Sequence, residues 1–237
     1  MIKGAHRKPP AQALFVDNWG LGPHYNEDCA DASTARLVTH LALCYLIDKH
    51  GRKTVVIILG IAGSLRKQSF NRSLLRAAQE LTPQGATIET FEIDGIPGFN
   101  QDDEANPPAK VAELKQRVRS ADAILFVTPE YNYSIPGVLK NAIDWASRPY
   151  GDSAWNGKPV AVMGASVGSI GTARAQYHLR QTFVFLNMYA VNQPEVMLGN
   201  AHKHFDQDGK LTDETAKQLI RQLLEELVSW TRRLQKQ

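Results

Sequence analysis

Cysteine is nearly absent from this sequence: Cys29 and Cys44 are the only two in 237 residues. Neither sits in a CxxC or zinc-type spacing, and nothing else points to secretion, so a reduced cytosolic state is expected. Long apolar runs are missing as well. The two longest, LVTHLALCYLI (37–47) and TVVIILGIA (54–62), fall short of the roughly 20 residues a membrane-spanning helix needs. Lys3, Arg7 and Lys8 are not followed by an apolar segment, so no secretory signal is read, and the cytoplasm is the expected location. The formal net charge of +3 comes without a dense Lys/Arg stripe, which argues against nucleic acid and leaves anionic small molecules as partners. Also lacking are the phosphate-loop pattern GxxxxGK[ST] and the dinucleotide pattern GxGxxG. No nucleoside triphosphatase is therefore expected.

What is present is an ordinary globular composition, 43% hydrophobic and 22% charged, with a regular pattern that starts late. Residues 1–53 hold Pro9-Pro10, Gly20 and Gly22-Pro23 and show little periodicity before Ala35, where ARLVTHLALCYLIDKH suggests one helix closed by Gly51. We read 1–53 as an extension and 54–237 as the functional domain. From Thr54, apolar runs alternate with amphipathic stretches. Val55–Ile61 is a continuous run rich in β-branched residues, as expected of a strand buried on both faces. A helix over Ser69–Leu81 follows, then a strand over 86–93 and a helix over Ala109–Arg119. Next come a strand over 123–128 and a helix over Pro136–Ser147, whose apolar face is formed by Ile135, Val138, Leu139, Ala142, Ile143 and Ala146. A fourth strand (159–165), a helix over Gly171–Phe183, a fifth strand within Met188–Met197 and a terminal helix over Asp213–Leu234 complete the series. Five strands alternating with helices define an α/β, doubly wound parallel sheet. Such sheets hold ligands at the carboxyl ends of their strands, at a switch point in strand order. The loops 63–71, 129–135 and 165–171 each follow a strand and gather at that edge.

The first loop, GSLRKQSFN, supplies Ser64, Ser69, Ser73 and Asn71 as neutral donors and Arg66 as a cation, at the start of a helix whose free N–H groups attract anions. It reads either as a phosphate site or as a capped turn with Ser69 as N-cap and Arg66 in solvent. The second, PEYNYS, places Tyr131 and Tyr133 around Asn132, which suits a flat heteroaromatic ring. The third, GASVGSIGTAR, permits close backbone approach at Gly164, Gly168 and Gly171, or is a plain glycine-rich turn. A flavin mononucleotide combines the phosphate and the ring that the first two loops suit.

On GSLRKQSFN, TPEYNYSIPGVLKNAIDW, and GTARAQYHLRQ followed by NQPE, the chain resembles the NADPH-dependent FMN reductase family, with its bacterial quinone and chromate reductase branch the nearest in pattern. The likeness runs from about residue 54 to the C-terminus. It implies a flavodoxin-like fold of strand order 2-1-3-4-5, non-covalent FMN, NAD(P)H as co-substrate, and a homodimer or homotetramer. It also implies that Ser64, Arg66, Ser69 and Asn71 hold the FMN phosphate. By the same likeness Pro129, Glu130, Tyr131, Asn132 and Tyr133 line the ring, and Ser166 to Gly168 close its other side. The implied reaction is ping-pong hydride transfer from NAD(P)H through FMN to a quinone, with chromate, azo dyes, ferric complexes or free flavin as other acceptors. No side-chain catalyst is assigned; Tyr131 is the residue placed nearest the stacked substrates. Where the family often has LPLYNxD, this chain reads IPGFNQD, so position 99 offers no hydroxyl.

The remaining candidates are fewer. His202 and His204 alternate as ligands do, but no third ligand accompanies them, and no metal is assigned. His178 reads as structural, Asp144 as a helix-surface or interface residue, and Arg174 and Arg180 as contacts to a pyridine-nucleotide phosphate or a neighbouring subunit. The alternative function, from a different class, is a flavodoxin-type single-electron carrier. Against it, such carriers tend to be acidic, with Thr/Gly-rich phosphate loops.

Overall fold

Each apolar run expected as a strand from residue 56 onward pairs into one sheet in the computed structural model, which describes residues 55–236. The helix expected over 35–50 and the boundary at 53 lie outside the described residues. The elements are β1 (Val56–Ala62), α1 (Phe70–Glu80), β2 (Ala86–Phe91), α2 (Ala109–Ser120), β3 (Ala123–Val127), α3 (Gly137–Ala146), β4 (Pro159–Ala165), α4 (Ala173–Leu186), β5 (Tyr189–Ala190), β6 (Val196–Leu198) and α5 (Glu214–Leu234). The order is β2-β1-β3-β4-β5, all parallel, with β6 also on β4. This is the flavodoxin-like order.

The fifth strand differs from expectation by splitting in two. Tyr189 and Ala190 pair with Pro159 and Val160, whereas Val196–Leu198 pairs with Met163–Ala165. Pro194, between the pieces, has no N–H to give to a ladder.

Both sheet faces are covered, which is why the inner strands β1, β3 and β4 are apolar throughout, whereas the edge strand β2 exposes Thr87, Glu89 and Thr90. On one face Val56 and Ile58 of β1 join Leu74 and Leu75 of α1 and Ile220, Leu223, Leu224 and Leu227 of α5. On the other, Leu59 and Ile61 meet Leu114 of α2, Leu139 and Ile143 of α3, and Leu179 and Phe183 of α4. Each such buried side chain contributes about 1.5–3 kcal/mol relative to exposure. Gly60 lets α1 lie close to β1: a Cβ there would stand 2.6 Å from Leu75 Cδ1. The expected apolar face of α3 needs one correction. Val138 is exposed, because the first turn projects past the carboxyl edge of the sheet, and Trp145 is buried instead, with Nε1 donating to Pro97 O at 2.8 Å.

The terminal helix α5 is capped by Asp213, whose Oδ1 accepts from Ala216 N at 3.0 Å. Its Oδ2 lies 2.6 Å from His204 Nδ1, and His204 Nε2 reaches Gly199 O at 2.9 Å. His204 thus fastens a loop to a helix start. Among the described residues no helix is long and apolar enough to cross a membrane, and no cluster of three metal-ligating side chains occurs.

Candidate functional site

Three hydrogen-bonded links, two between backbones and one from a side chain, gather the loops at the carboxyl ends of β1, β3 and β4. Gly63 N donates to Val127 O at 2.9 Å, and Thr128 N donates to Met163 O at 3.0 Å. Gly164 has no side chain to spare room for: a Cβ would run into the Thr128 carbonyl and the Thr172 hydroxyl. That close approach brings the second and third loops together. The third link is Asn71, only 2% exposed although ninety-four residues separate it from its partner. Its Nδ2 donates to Ala165 O at 2.9 Å, and its Oδ1 accepts from Ala165 N at 2.9 Å.

The first loop is capped as one reading of its sequence expects, and the cap leaves donors free. Ser69 caps α1 by accepting from Asn71 N at 3.2 Å, and its hydroxyl hydrogen remains available to a ligand. Ser64 is buried beside it, and the first turn of α1 carries no acidic residue. The helix start is therefore positive in potential with no carboxylate to cancel it. Arg66 is exposed, its guanidinium donating to Gln68 O at 2.6 Å and lying 5.8 Å from the Phe70 ring centroid. The expected direct role of Asn71 changes: its amide is largely spent on Ala165, so it positions the loop rather than chiefly donating to a phosphate.

The second loop is a tight turn. Tyr131 and Ser134 exchange both backbone hydrogen bonds, each 2.9 Å, and the two residues between them have positive φ, 50° at Asn132 and 66° at Tyr133. That is the backbone of a type I′ turn, which favours Asn-Gly. A tyrosine at the second position costs about 1–2 kcal/mol in backbone strain. Glu130 is not free. Its Oε1 accepts from Arg174 Nε at 2.5 Å and also meets the Arg174 terminal nitrogen, and its Oε2 accepts from Ala175 N at 3.1 Å. Arg174 in turn lies 3.6 Å from the centroid of Tyr133. Expected as a contact to a nucleotide phosphate or another subunit, Arg174 is engaged within the chain by Glu130 and Tyr133.

The loops enclose a cavity of about 200 Å³. Of the residues expected there, Ser64, Arg66, Ser69, Asn71, Pro129, Glu130, Tyr131 and Ser166 line it. Asn132, Tyr133 and Gly168 do not: Asn132 is at the turn tip, Tyr133 lies against Arg174, and Gly168 closes its own loop by donating to Ser166 Oγ at 3.2 Å. Phe70 and Ala165 line the cavity without having been expected, and Val167 lines it from within the expected 166–168 segment. Phe70 had a signal, since side chains in the first turn of a helix lean back toward its N-terminus. Val167 is the lone large apolar residue among small ones in GASVGS. His178, read as structural, meets Ser134 Oγ at 3.0 Å through Nδ1.

This donor set suits FMN: buried hydroxyls, a helix start and a cation at one end, and Pro129, Tyr131 and Val167 as flat or apolar walls at the other. Fold and cavity together define a flavodoxin-like protein built for a phosphorylated aromatic cofactor. Residues 56–203 match the NADPH-dependent FMN reductase family, and the chain belongs to it. An NAD(P)H-dependent FMN reductase of Pseudomonas aeruginosa is 54% identical over 179 residues, covering 75% of this chain and 96% of its own. A 2-hydroxy-1,4-benzoquinone reductase of Burkholderia sp is 42% identical over 172 residues, covering 73% and 94%. Among solved structures, FerB of Paracoccus denitrificans, a flavoenzyme NAD(P)H:(acceptor) oxidoreductase, superposes with a TM-score of 0.70 at 38% identity, covering 76% of this chain and 98% of that one. The chain is thus an NAD(P)H-dependent oxidoreductase using FMN, and the electron-carrier reading gives way to it.

Proposed function

We propose that this protein holds FMN non-covalently in the three-loop cavity and reduces quinones at the expense of NAD(P)H, in the overall reaction quinone + NAD(P)H + H⁺ → hydroquinone + NAD(P)⁺. The observation that carries the reading is the convergence of buried Ser64 and Ser69, at an uncancelled helix start, with Pro129 and Tyr131 in one cavity. Bound FMN supplies the redox chemistry, accepting hydride from the nicotinamide and delivering reducing equivalents to the acceptor. The residues of this chain bind and orient. Ser64, Ser69, the first N–H groups of α1 and Arg66 take the phosphate, with Asn71 keeping their loop against the end of β4. Pro129, Tyr131 and Ser166 border the ring. Glu130 is engaged by three N–H donors and serves to hold the second loop against α4. The proton for the hydroquinone comes from water at the open mouth, where Tyr131 is half exposed.

The same open site admits chromate, azo dyes, ferric complexes or free flavin as secondary acceptors. We assign the working form as a homodimer or homotetramer in the cytoplasm, acting on small molecules without nucleic acid or membrane partners. Residues 1–53 are assigned as an appended segment outside the catalytic domain, in keeping with a family match that begins at residue 56. Anaerobic mixing of the FMN-loaded protein with NADH or NADPH tests the function: the visible flavin band is expected to bleach within seconds with at least one of them. Persistence of the band with both would remove the enzyme reading.

A further inference from the structure

Three consecutive features of the second loop are fastened to one face of α4. Glu130 takes hydrogen bonds from Arg174 and from Ala175 N, the ring of Tyr133 lies under the Arg174 guanidinium, and Ser134 Oγ meets His178. Arg174 and His178 are one helical turn apart and so share a face. The turn they grip has two non-glycine residues at positive φ, a backbone that persists only where surrounding contacts over-determine it. The Glu130 side chain is 5% exposed while that of Arg174 is 37% exposed, so the carboxylate is shielded and the cation reaches it from the surface. Tyr131, which borders the cavity, is the first residue of the same turn.

We propose that Arg174 is a positioning residue for the acceptor side of the cavity. By holding Glu130 with its nitrogens and Tyr133 with its flat face, it fixes the 131–134 turn and so sets where Tyr131 stands over the substrate. The proposal rests on the flavin reading above, and it separates two halves of the site. Arg174 governs acceptor fit, whereas the first loop governs cofactor retention.

The test uses the full chain with Arg174→Ala, Arg174→Lys, Tyr133→Ala and the double variant Arg174→Ala/Tyr133→Ala. In the apoprotein, hydrogen exchange at the Tyr131 and Ser134 amides is expected to speed up about tenfold in Arg174→Ala, as loss of a cation–π contact and a half-buried ion pair would give. FMN affinity, titrated separately, is expected to stay within about threefold of the native protein. With FMN bound, the KM for 1,4-benzoquinone is expected to rise about tenfold in Arg174→Ala with kcat within about twofold. Arg174→Lys keeps the charge but not the planar fork, and is expected to recover part of that loss. Because the two side chains act as one unit, the double variant is expected to match the worse single variant. Unchanged amide exchange, an FMN affinity lowered tenfold or more in Arg174→Ala, or single effects that multiply in the double variant would each overturn the proposal. Failure of the native protein itself to bind FMN would instead overturn the flavin reading, leaving the exchange result to judge the turn on its own.

Discussion

The first and second loops border the same cavity, yet their order comes from different sources. The first is shaped by secondary structure: Ser69 caps α1, the helix dipole sets the potential, and Asn71 pins the start of α1 to Ala165. The second caps no helix with its own side chains and adopts a backbone that its residues disfavour, held by side-chain contacts to α4. The difference teaches that one site can divide its tasks physically. A phosphate needs fixed donors, which a helix start supplies without further support. An acceptor that enters and leaves needs a wall that is firm but not continuous with the core.

Perturbations that strike the two loops unequally test this contrast. The largest effect is expected from Gly164→Val, which fills the space where the Thr128 carbonyl approaches and so loosens both loops together. A loss of several kcal/mol in denaturant-measured stability is expected, with FMN binding lost alongside. Arg66→Ala should break only the first loop's function. Arg66 is exposed and its contacts to Gln68 O and Phe70 lie at the surface, so the melting midpoint is expected to change little while the FMN dissociation constant rises about 10- to 100-fold, as charge-assisted hydrogen bonds of about 1.5–3 kcal/mol imply. Ser69→Ala is smaller and mixed: about 1 kcal/mol of stability is lost with the cap, and FMN is held several-fold more weakly.

Acid should strike neither loop first. The carboxyl of Asp152 is held below its ordinary range by hydrogen bonds from Lys115 and then Arg119, and that of Asp213 by Ala216 N and then His204. A carboxylate with a lowered native pKa contributes stability that is fully present above its unfolded value, about 3.9. That contribution is lost as pH falls through the lower native value. Stability measured from pH 5 downward should therefore decline below about pH 4, and Asp213→Asn should flatten part of that decline while leaving FMN affinity at pH 7 unchanged.

Much of the fold was legible because the apolar runs are long and their ends are marked. β4 over 159–165 has the expected limits, and α1 has Ser69 at its cap as read, whereas Pro136, read in the first turn of α3, stands just outside it as the cap residue. The gathering of the loops was legible too, since all three follow parallel strands. Pairwise contacts across long separations were not legible. Nothing in GSLRKQSFN says that Asn71 spends its amide on Ala165, because a polar side chain shows its capacity for hydrogen bonds but not which partner the fold brings to it. The same holds for Arg174, whose spacing from Glu130 has no local meaning until β4 and α4 are placed. Tyr133 illustrates a further limit: its ring suits a flavin by chemistry, but a positive φ turns it toward Arg174 and away from the cavity lining.

The central claim, that the first loop is a phosphate holder, is tested most directly by titrating the apoprotein with FMN and with riboflavin, which has the ring but not the phosphate. FMN is expected to bind at least about 100-fold more tightly than riboflavin to the native chain, and Arg66→Ala is expected to remove most of that difference. Equal affinity for the two in the native chain would contradict the account.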